Sequence, residues 1–208
     1  MSKKLISIVT PCFNEQDNVE EVHKQVKQIF SSMPKYSYEH IFIDNSSTDN
    51  TISILRKIAF VDKHVKVIIN SRNFGWMRSP QYGLLQANGK AIILLVADLQ
   101  DPPQLITSFL QKWEEGYKIV KGVKTNSNES FLMKNVRKVY YRFINNISEI
   151  ELTKDFTGFG LYDRQVIDVM KKIDDPYPYF RGLISEIGFE HFKIEYTQRS
   201  RKRGFSSS

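Results

Sequence analysis

The chain has 208 residues, 41% of them hydrophobic and 25% charged, which suits one sizeable globular core and excludes a disordered chain. Its net charge of +7 and pI near 9.3 favour an anionic partner: nucleic acid, a phosphorylated small molecule or a lipid surface. The single cysteine, Cys12, excludes an internal disulfide and suits a reducing compartment.

Met1 to Lys4 is polar, and the apolar stretch after it is broken at Pro11, so no secretory signal is read. Leu5 to Val9 reads as a buried strand. Asn14 to Phe30 reads as a helix, with Val19, Val22, Val26, Ile29 and Phe30 at helical spacing and Asn14 or Asp17 as its cap. His40 to Ile43 is a second strand that stops at Asp44, and Thr48-Asp49 opens a helix through Ile58. Val65 to Ile69 is a third strand, "SRNFG" its loop, and Ser79 to Asn88 a helix. "KAIILLVAD" is a fourth strand. Its apolar run, Ala91 to Ala97, is far shorter than the ~20 residues of a membrane-spanning helix. A helix follows Pro102-Pro103 and ends before Gly116. "YKIVKGV" is a fifth strand. Beyond it come a polar loop, Lys124 to Ser130, an amphipathic helix, Phe131 to Ile147, and a helix from Arg164 to Ile173. A helix and a last strand then complete the chain.

Strand and helix alternate through about residues 1–123. This predicts an α/β fold: a mostly parallel, Rossmann-like sheet flanked by helices on both faces. A less regular half, about 124–208, completes a single domain. Ligands in such sheets sit beyond the carboxyl ends of the strands. Polar residues gather there: Thr10, Asn14 and Glu15, then Asp44 and Asn45, then Arg72 and Asn73, then Asp98, Gln100 and Asp101. One such end is ordinary capping; four on one edge make a candidate site.

The segments "SIVTPCFNE", "IFIDNSSTDNT", "SRNFG", "ADLQDPPQLI", "KWEEGYKIVKGV", "DFTGFGLYDR", "FRGLISEIGF" and "RKRGFSSS" occur in one order along nearly the whole chain. Together they resemble glycosyltransferase family 2, of GT-A fold. Within it they are most similar to enzymes that move a sugar from a nucleotide to a polyprenyl phosphate, such as dolichyl-phosphate mannose synthases and bactoprenol glucosyltransferases. The chain departs from that pattern at Val96, where the family has the first Asp of Asp-Ala-Asp. It departs again at Asn45-Ser46 and at Gly158-Phe159-Gly160.

The resemblance implies an inverting transferase that uses Mg²⁺ or Mn²⁺. Asp98 and Gln100 match metal-binding positions, and strand alternation would place them on one side. A divalent ion on a diphosphate needs only one or two protein oxygens. Asp101 reads as the N-cap of the next helix. Pro11, Glu15 and Asp44 match positions around the nucleotide. Arg72 could pair with phosphate or base, or lie in a surface ion pair. Glu15 could equally be a first-turn carboxylate favoured by the helix dipole, and Asp44 a turn residue. A polyprenyl phosphate is largely a dianion at neutral pH and is already a nucleophile, so cations matter more than a base; Arg137, Arg142 and Arg181 are the candidates. A sugar hydroxyl as acceptor would need a base, Asp155 first and Glu186 second.

UDP-glucose is the expected donor, with GDP-mannose open. Arg199, Arg201, Lys202 and Arg203 could lie on anionic headgroups, grip diphosphate, or be solvated. Polyprenyl-type relatives run on into hydrophobic helices after this basic stretch. The expectation is therefore a cytoplasmic protein, peripheral at the inner face of the membrane, with a partner protein or a missing membrane segment. His23, His40, His64 and His191 lack metal-ligand spacing, and Trp76 and Trp113 read as packing residues, though Trp76 is near enough to the Arg72 loop to touch a ligand. Three rivals compete with this reading: a degenerate nucleotide-sugar-binding subunit, a transferase acting on a polysaccharide hydroxyl, and a nucleic-acid binder. The last is suggested by charge alone and has no recognition motif.

Overall fold

A computed structural model describes residues 3–125, 153, 155–173, 175 and 179–199. The first half is built of β1 (Lys4–Cys12), α1 (Val19–Ser31), β2 (Tyr36–Asp44), α2 (Thr51–Val61), β3 (Val65–Ile69), α3 (Gly75–Gln86), β4 (Ala91–Leu94), α4 (Leu105–Glu114) and β5 (Ile119–Lys124). Then come β6 (Phe156–Asp163), α5 (Arg164–Ile173), α6 (Phe180–Glu186) and β7 (His191–Tyr196). They form one seven-stranded sheet in the order β3-β2-β1-β4-β6-β5-β7. Only β6 runs against the others. The expected α/β sheet is observed.

The strands read as unbroken apolar runs because both faces are buried. Ile6, Ile8, Phe42 and Ile93 point to one face, where they meet Val19, Val22, Val26 and Phe30 of α1, Leu55 of α2 and Phe109 of α4. Val9, Ile41, Ile43, Ile92 and Leu94 point to the other, against Leu84 of α3, Val166, Ile167 and Met170 of α5, and Leu183 of α6.

Pro11 does not end β1, as the sequence suggests; the strand continues to Cys12 in register with Asp44. Val9 O accepts from Leu95 N, so Val9 and Pro11 turn their backbone toward β4. That strand has stopped at Leu94, and the missing N–H of Pro11 leaves no ladder bond unmade. The stretch "DFTGFGLYDR" is β6, wedged antiparallel between β4 and β5. Gly160 permits this: a Cβ there would lie 2.3 Å from the Val120 carbonyl oxygen.

Three helices begin later or earlier than the sequence predicts. α1 opens at Val19 and α2 at Thr51: Asn14 and Thr48 bond to each other across loops instead of capping, while Asp49 accepts from both Gln16 N across the loops and Thr51 N at the start of α2. α3 begins at Gly75, taking in the end of the expected loop.

Candidate active site

The connection after β1 leads to β2 on one side, and α3 carries the chain back to β4 on the other. Such a switch point opens a crevice at the carboxyl ends of the strands. Four non-glycine residues have positive φ among the described residues: Asn14 (54°), Ser46 (68°), Leu99 (58°) and Asp155 (58°). They follow β1, β2 and β4 and precede the antiparallel β6, so all four lie on this one edge. Left-handed backbone at a non-glycine residue costs of order 1 kcal/mol and concentrates at functional sites.

The first two loops clasp each other. Asn14 N donates to Ser47 Oγ at 2.9 Å, and Asn14 Oδ1 accepts from Thr48 N at 2.8 Å. Glu15 N donates to Thr51 Oγ1 at 2.9 Å, while the buried Glu15 carboxylate accepts from Asn18 Nδ2 at 2.6 Å. Asp44 is fully buried and accepts from the Ser47 backbone and hydroxyl. Cys12 Sγ lies 4.0 Å from Asp44 Oδ2. Burial, and then the Asp44 charge, hold its thiol well above the ordinary pKa. Thr10 turns inward, 2.9 Å from His40 Nε2, and takes no part in the edge.

Asn45 ties on the third loop. Its Nδ2 donates to Asn73 Oδ1 at 2.7 Å, and its Oδ1 accepts from Asn70 Nδ2 at 3.1 Å and Phe74 N at 2.9 Å. Asn73 Oδ1 also accepts from Gly75 N at 2.8 Å. Arg72 is exposed, its guanidinium 4.1 Å from the Phe74 ring centre.

The turn after β4 departs from the expected alternation. The strand ends at Leu94, and left-handed Leu99 bends the chain between Asp98 and Gln100. Asp98 is half-buried, and its Oδ1 accepts from Gln100 N at 3.0 Å. The segment after β7 holds the turn from outside. Arg199 N donates to Gln100 O at 3.0 Å, and Gln198 Nε2 to Gln100 Oε1 at 3.1 Å. Asp101 is not a helix cap: it is buried and accepts the Tyr196 hydroxyl, while Gln104 stands at the start of α4. Burial raises the Asp101 carboxyl above its ordinary pKa, against the Tyr196 hydrogen bond that lowers it.

On the far side of the crevice, the Asp155 carbonyl accepts from Lys124 N at 3.2 Å. Arg181 Nη1 donates to Phe156 O at 3.3 Å, and its buried Nε has no hydrogen-bond partner among the described residues. Glu186 is exposed at the other end of α6, about 7 Å along the axis from Arg181. Arg137, Arg142, Arg201, Lys202 and Arg203 lie outside the described residues.

Residues 7–170 match the family model described as glycosyl transferase family 2. The chain belongs to glycosyltransferase family 2. It is 38% identical over 199 residues to the uncharacterized glycosyltransferase YkcC of Bacillus subtilis (strain 168), covering 95% of this chain and 61% of that protein. It is 30% identical over 202 residues to the bactoprenol glucosyl transferase of Shigella phage SfV, covering 97% of this chain and 66% of that one. The chain thus spans a little under two thirds of the length of these relatives. In fold it is similar to the mannosyltransferase PcManGT from Pyrobaculum calidifontis, solved with GDP-Man and Mn²⁺ (TM-score 0.66, 17% identity, 98% of this chain and 59% of that one). It is also similar to glucosyl-3-phosphoglycerate synthase from Mycobacterium tuberculosis, solved with Mn²⁺, UDP and phosphoglyceric acid (TM-score 0.63, 19% identity, 97% of this chain and 72% of that one). The fold is that of GT-A transferases.

Among the described residues, no group of three or more His, Cys, Asp and Glu side chains is arranged to hold a metal ion. A metal shared with a ligand's diphosphate needs less. Asp98 has one oxygen in its own turn and offers a hard carboxylate at the crevice, which fits Mg²⁺ or Mn²⁺. Gln100 Oε1 accepts one bond from Gln198 and has a second lone pair that could join.

Proposed function

We propose that this chain is the transferase part of a metal-dependent, inverting enzyme that moves a sugar from a nucleotide-sugar to a polyprenyl phosphate. UDP-glucose is the preferred donor and GDP-mannose the second. The observation that carries this reading is the Asp98 carboxylate, held on a left-handed turn at the switch point and anchored by the segment after β7. The likeness to the bactoprenol glucosyl transferase of phage SfV supports the acceptor class.

Asp98, with Gln100 as the second oxygen, would hold the cation together with donor phosphate oxygens. When bound, the cation neutralises charge on the departing nucleoside diphosphate. Asp44, Pro11 and Glu15 form the nucleoside end, and Arg72 reaches toward the phosphates or base. An acceptor phosphate oxygen attacks the anomeric carbon from the face opposite the leaving group. The bond to the donor phosphate breaks, and the configuration inverts. The acceptor is already anionic, so Arg181, with Arg137 and Arg142, orients it and needs no base. Asp155, at the start of β6, would serve as base for a hydroxyl acceptor, with Glu186 the second choice. No described helix is long and apolar enough to cross a membrane. A peripheral position at the cytoplasmic face, aided by the basic residues 199–203, would bring the crevice to a lipid acceptor.

Calorimetric titration of UDP and GDP, with and without Mn²⁺, tests the donor site on the native chain and on Asp98→Ala. Mn²⁺-dependent binding lowered at least about 100-fold in the variant is expected for loss of a metal-holding carboxylate. Absence of binding by a folded native chain would remove the transferase reading.

A further inference from the structure

We propose that Trp76, Tyr179 and Arg181 form a receptor for the phosphate and first isoprene units of a polyprenyl phosphate. This rests on the acceptor class above and names the residues that would recognise its lipid part. Three distant segments converge here: the start of α3, the start of α6 and the start of β6. The Arg181 guanidinium carbon lies 5.8 Å from the Trp76 ring centre and 5.5 Å from that of Tyr179. Its Nη1 is fixed on the Phe156 carbonyl.

Two features separate this group from ordinary surface packing. First, Arg181 carries five donors in a planar fork, yet its buried Nε bonds to nothing. A phosphate oxygen would satisfy that donor. Second, the two rings beside the cation are left open: Trp76 is 68% exposed and Tyr179 45%, with Met77 at 37% between core and solvent. An anionic group on an apolar chain matches both features, its head on the guanidinium and its tail on the rings.

The position agrees with the chemistry. Trp76 follows Gly75, which is tied through Asn73 and Asn45 to the donor edge. Phe156 follows Asp155 on the opposite wall. The receptor therefore lies between the nucleotide end and the start of β6, where an acceptor must approach the sugar.

The test compares farnesyl phosphate with n-propyl phosphate, which shares the head and lacks the isoprenoid. In a Trp113→Phe chain, Trp76 is the sole indole. Farnesyl phosphate is expected to shift its emission to the blue in a saturable way, and n-propyl phosphate to leave it unchanged. Calorimetry on the chain with both tryptophans supplies the same affinities should Trp113→Phe fold poorly. Trp76→Ala and Tyr179→Ala should each weaken farnesyl phosphate about tenfold, the scale for losing one aromatic face against an apolar chain. UDP–Mn²⁺ binding should stay within about twofold of native, as both rings lie outside the metal turn. Arg181→Lys should weaken both phosphates, because an ammonium cannot reproduce the fork. Farnesyl phosphate binding that ignores both ring substitutions would overturn the receptor and leave the acceptor class standing. So would a ring requirement seen only with phosphatidylglycerol vesicles and not with soluble farnesyl phosphate, which would make the pair a membrane contact. A native chain that binds UDP–Mn²⁺ and transfers sugar to no polyprenyl phosphate would overturn receptor and acceptor class together.

Discussion

The two walls of the crevice are built differently. On the donor wall, the loops after β1, β2 and β3 hydrogen-bond to one another through Asn14, Ser47, Thr51, Asn45 and Asn73. On the opposite wall, Arg181 keeps a buried donor unpaired beside two exposed rings. One wall spends its hydrogen bonds on itself; the other holds some in reserve. On the function proposed above, the donor end would be preorganised, leaving little ordering for an arriving nucleotide. The acceptor end would be completed by its ligand.

The most severe way to break this contrast is to remove Asn45, the hub of the donor wall. Asn45→Ala leaves the Phe74 N–H without its acceptor and cuts the ties to Asn70 and Asn73, which keep Ser79 Oγ and Gly75 N, at a cost of about 2 kcal/mol. Thermal unfolding should fall by roughly 4–8 °C for a chain of this size. An unchanged midpoint would mean that the loops are not mutually supported.

A smaller effect sharpens the comparison at the metal turn. Tyr196→Phe deletes the hydroxyl on buried Asp101 and should cost about 1 kcal/mol of stability. It should also raise several-fold the Mn²⁺ needed for half-maximal UDP binding, since Asp98 shares that turn. Tyr162→Phe removes a buried hydroxyl bonded to Gly158 O, on the other face of the sheet. It should cost similar stability and leave the Mn²⁺ requirement alone. Equal Mn²⁺ requirements in the two variants would deny Tyr196 a positioning role.

The mildest probe is acid. His40 is fully buried against Thr10 and Phe42, with His23 stacked 6.1 Å away and Asp62, Lys27 and His64 beyond. Burial holds both His23 and His40 below the ordinary value of 6.5. The unfolded chain takes up protons near pH 6.5 that the folded chain refuses. Stability is therefore full above about pH 7 and declines as pH falls through 6.5, by at most about 1.4 kcal/mol per pH unit for each histidine. Asp62 is held well below the usual carboxylate range: burial opposes this, but hydrogen bonds from Lys27 and His64 prevail. Its own contribution is lost only at lower pH. Urea midpoints at pH 7.5 and 5.5 measure the decline, and His40→Gln should flatten it.

Much of the sheet was legible because burial on both faces writes continuous apolar strands. The order of strand-end carboxylates and amides could be read for the same reason: each follows directly on such a run. The helix starts were not legible. Asn14 and Thr48 look like local caps, but their partners lie in another loop, and Asp49 divides its carboxylate between Thr51 N nearby and Gln16 N across the loops. Asp101 reads as a cap because its partner, Tyr196, is 95 residues away. β6 is hidden by Gly158 and Gly160, which resemble turn chemistry; Gly160 instead admits a neighbouring backbone, and Gly158 supplies a φ of 105° inside the strand. Arg181 is legible as a candidate cation, but its grouping with Trp76 is not, since only the fold brings position 76 to positions 179 and 181. The residue types at Asn14 and Asp155, both tolerant of left-handed backbone, were the one available hint of strain at the edge.

Cys12 lies 4% exposed beneath the donor floor, its thiol kept protonated by burial and by the Asp44 charge. Alkylating reagents act on thiolates they can reach, and this one is neither ionised nor accessible. The chain contains no other cysteine. A cysteine introduced on either wall would therefore be the sole reactive thiol, and a fluorophore or spin label could report on each wall separately in an otherwise unaltered protein.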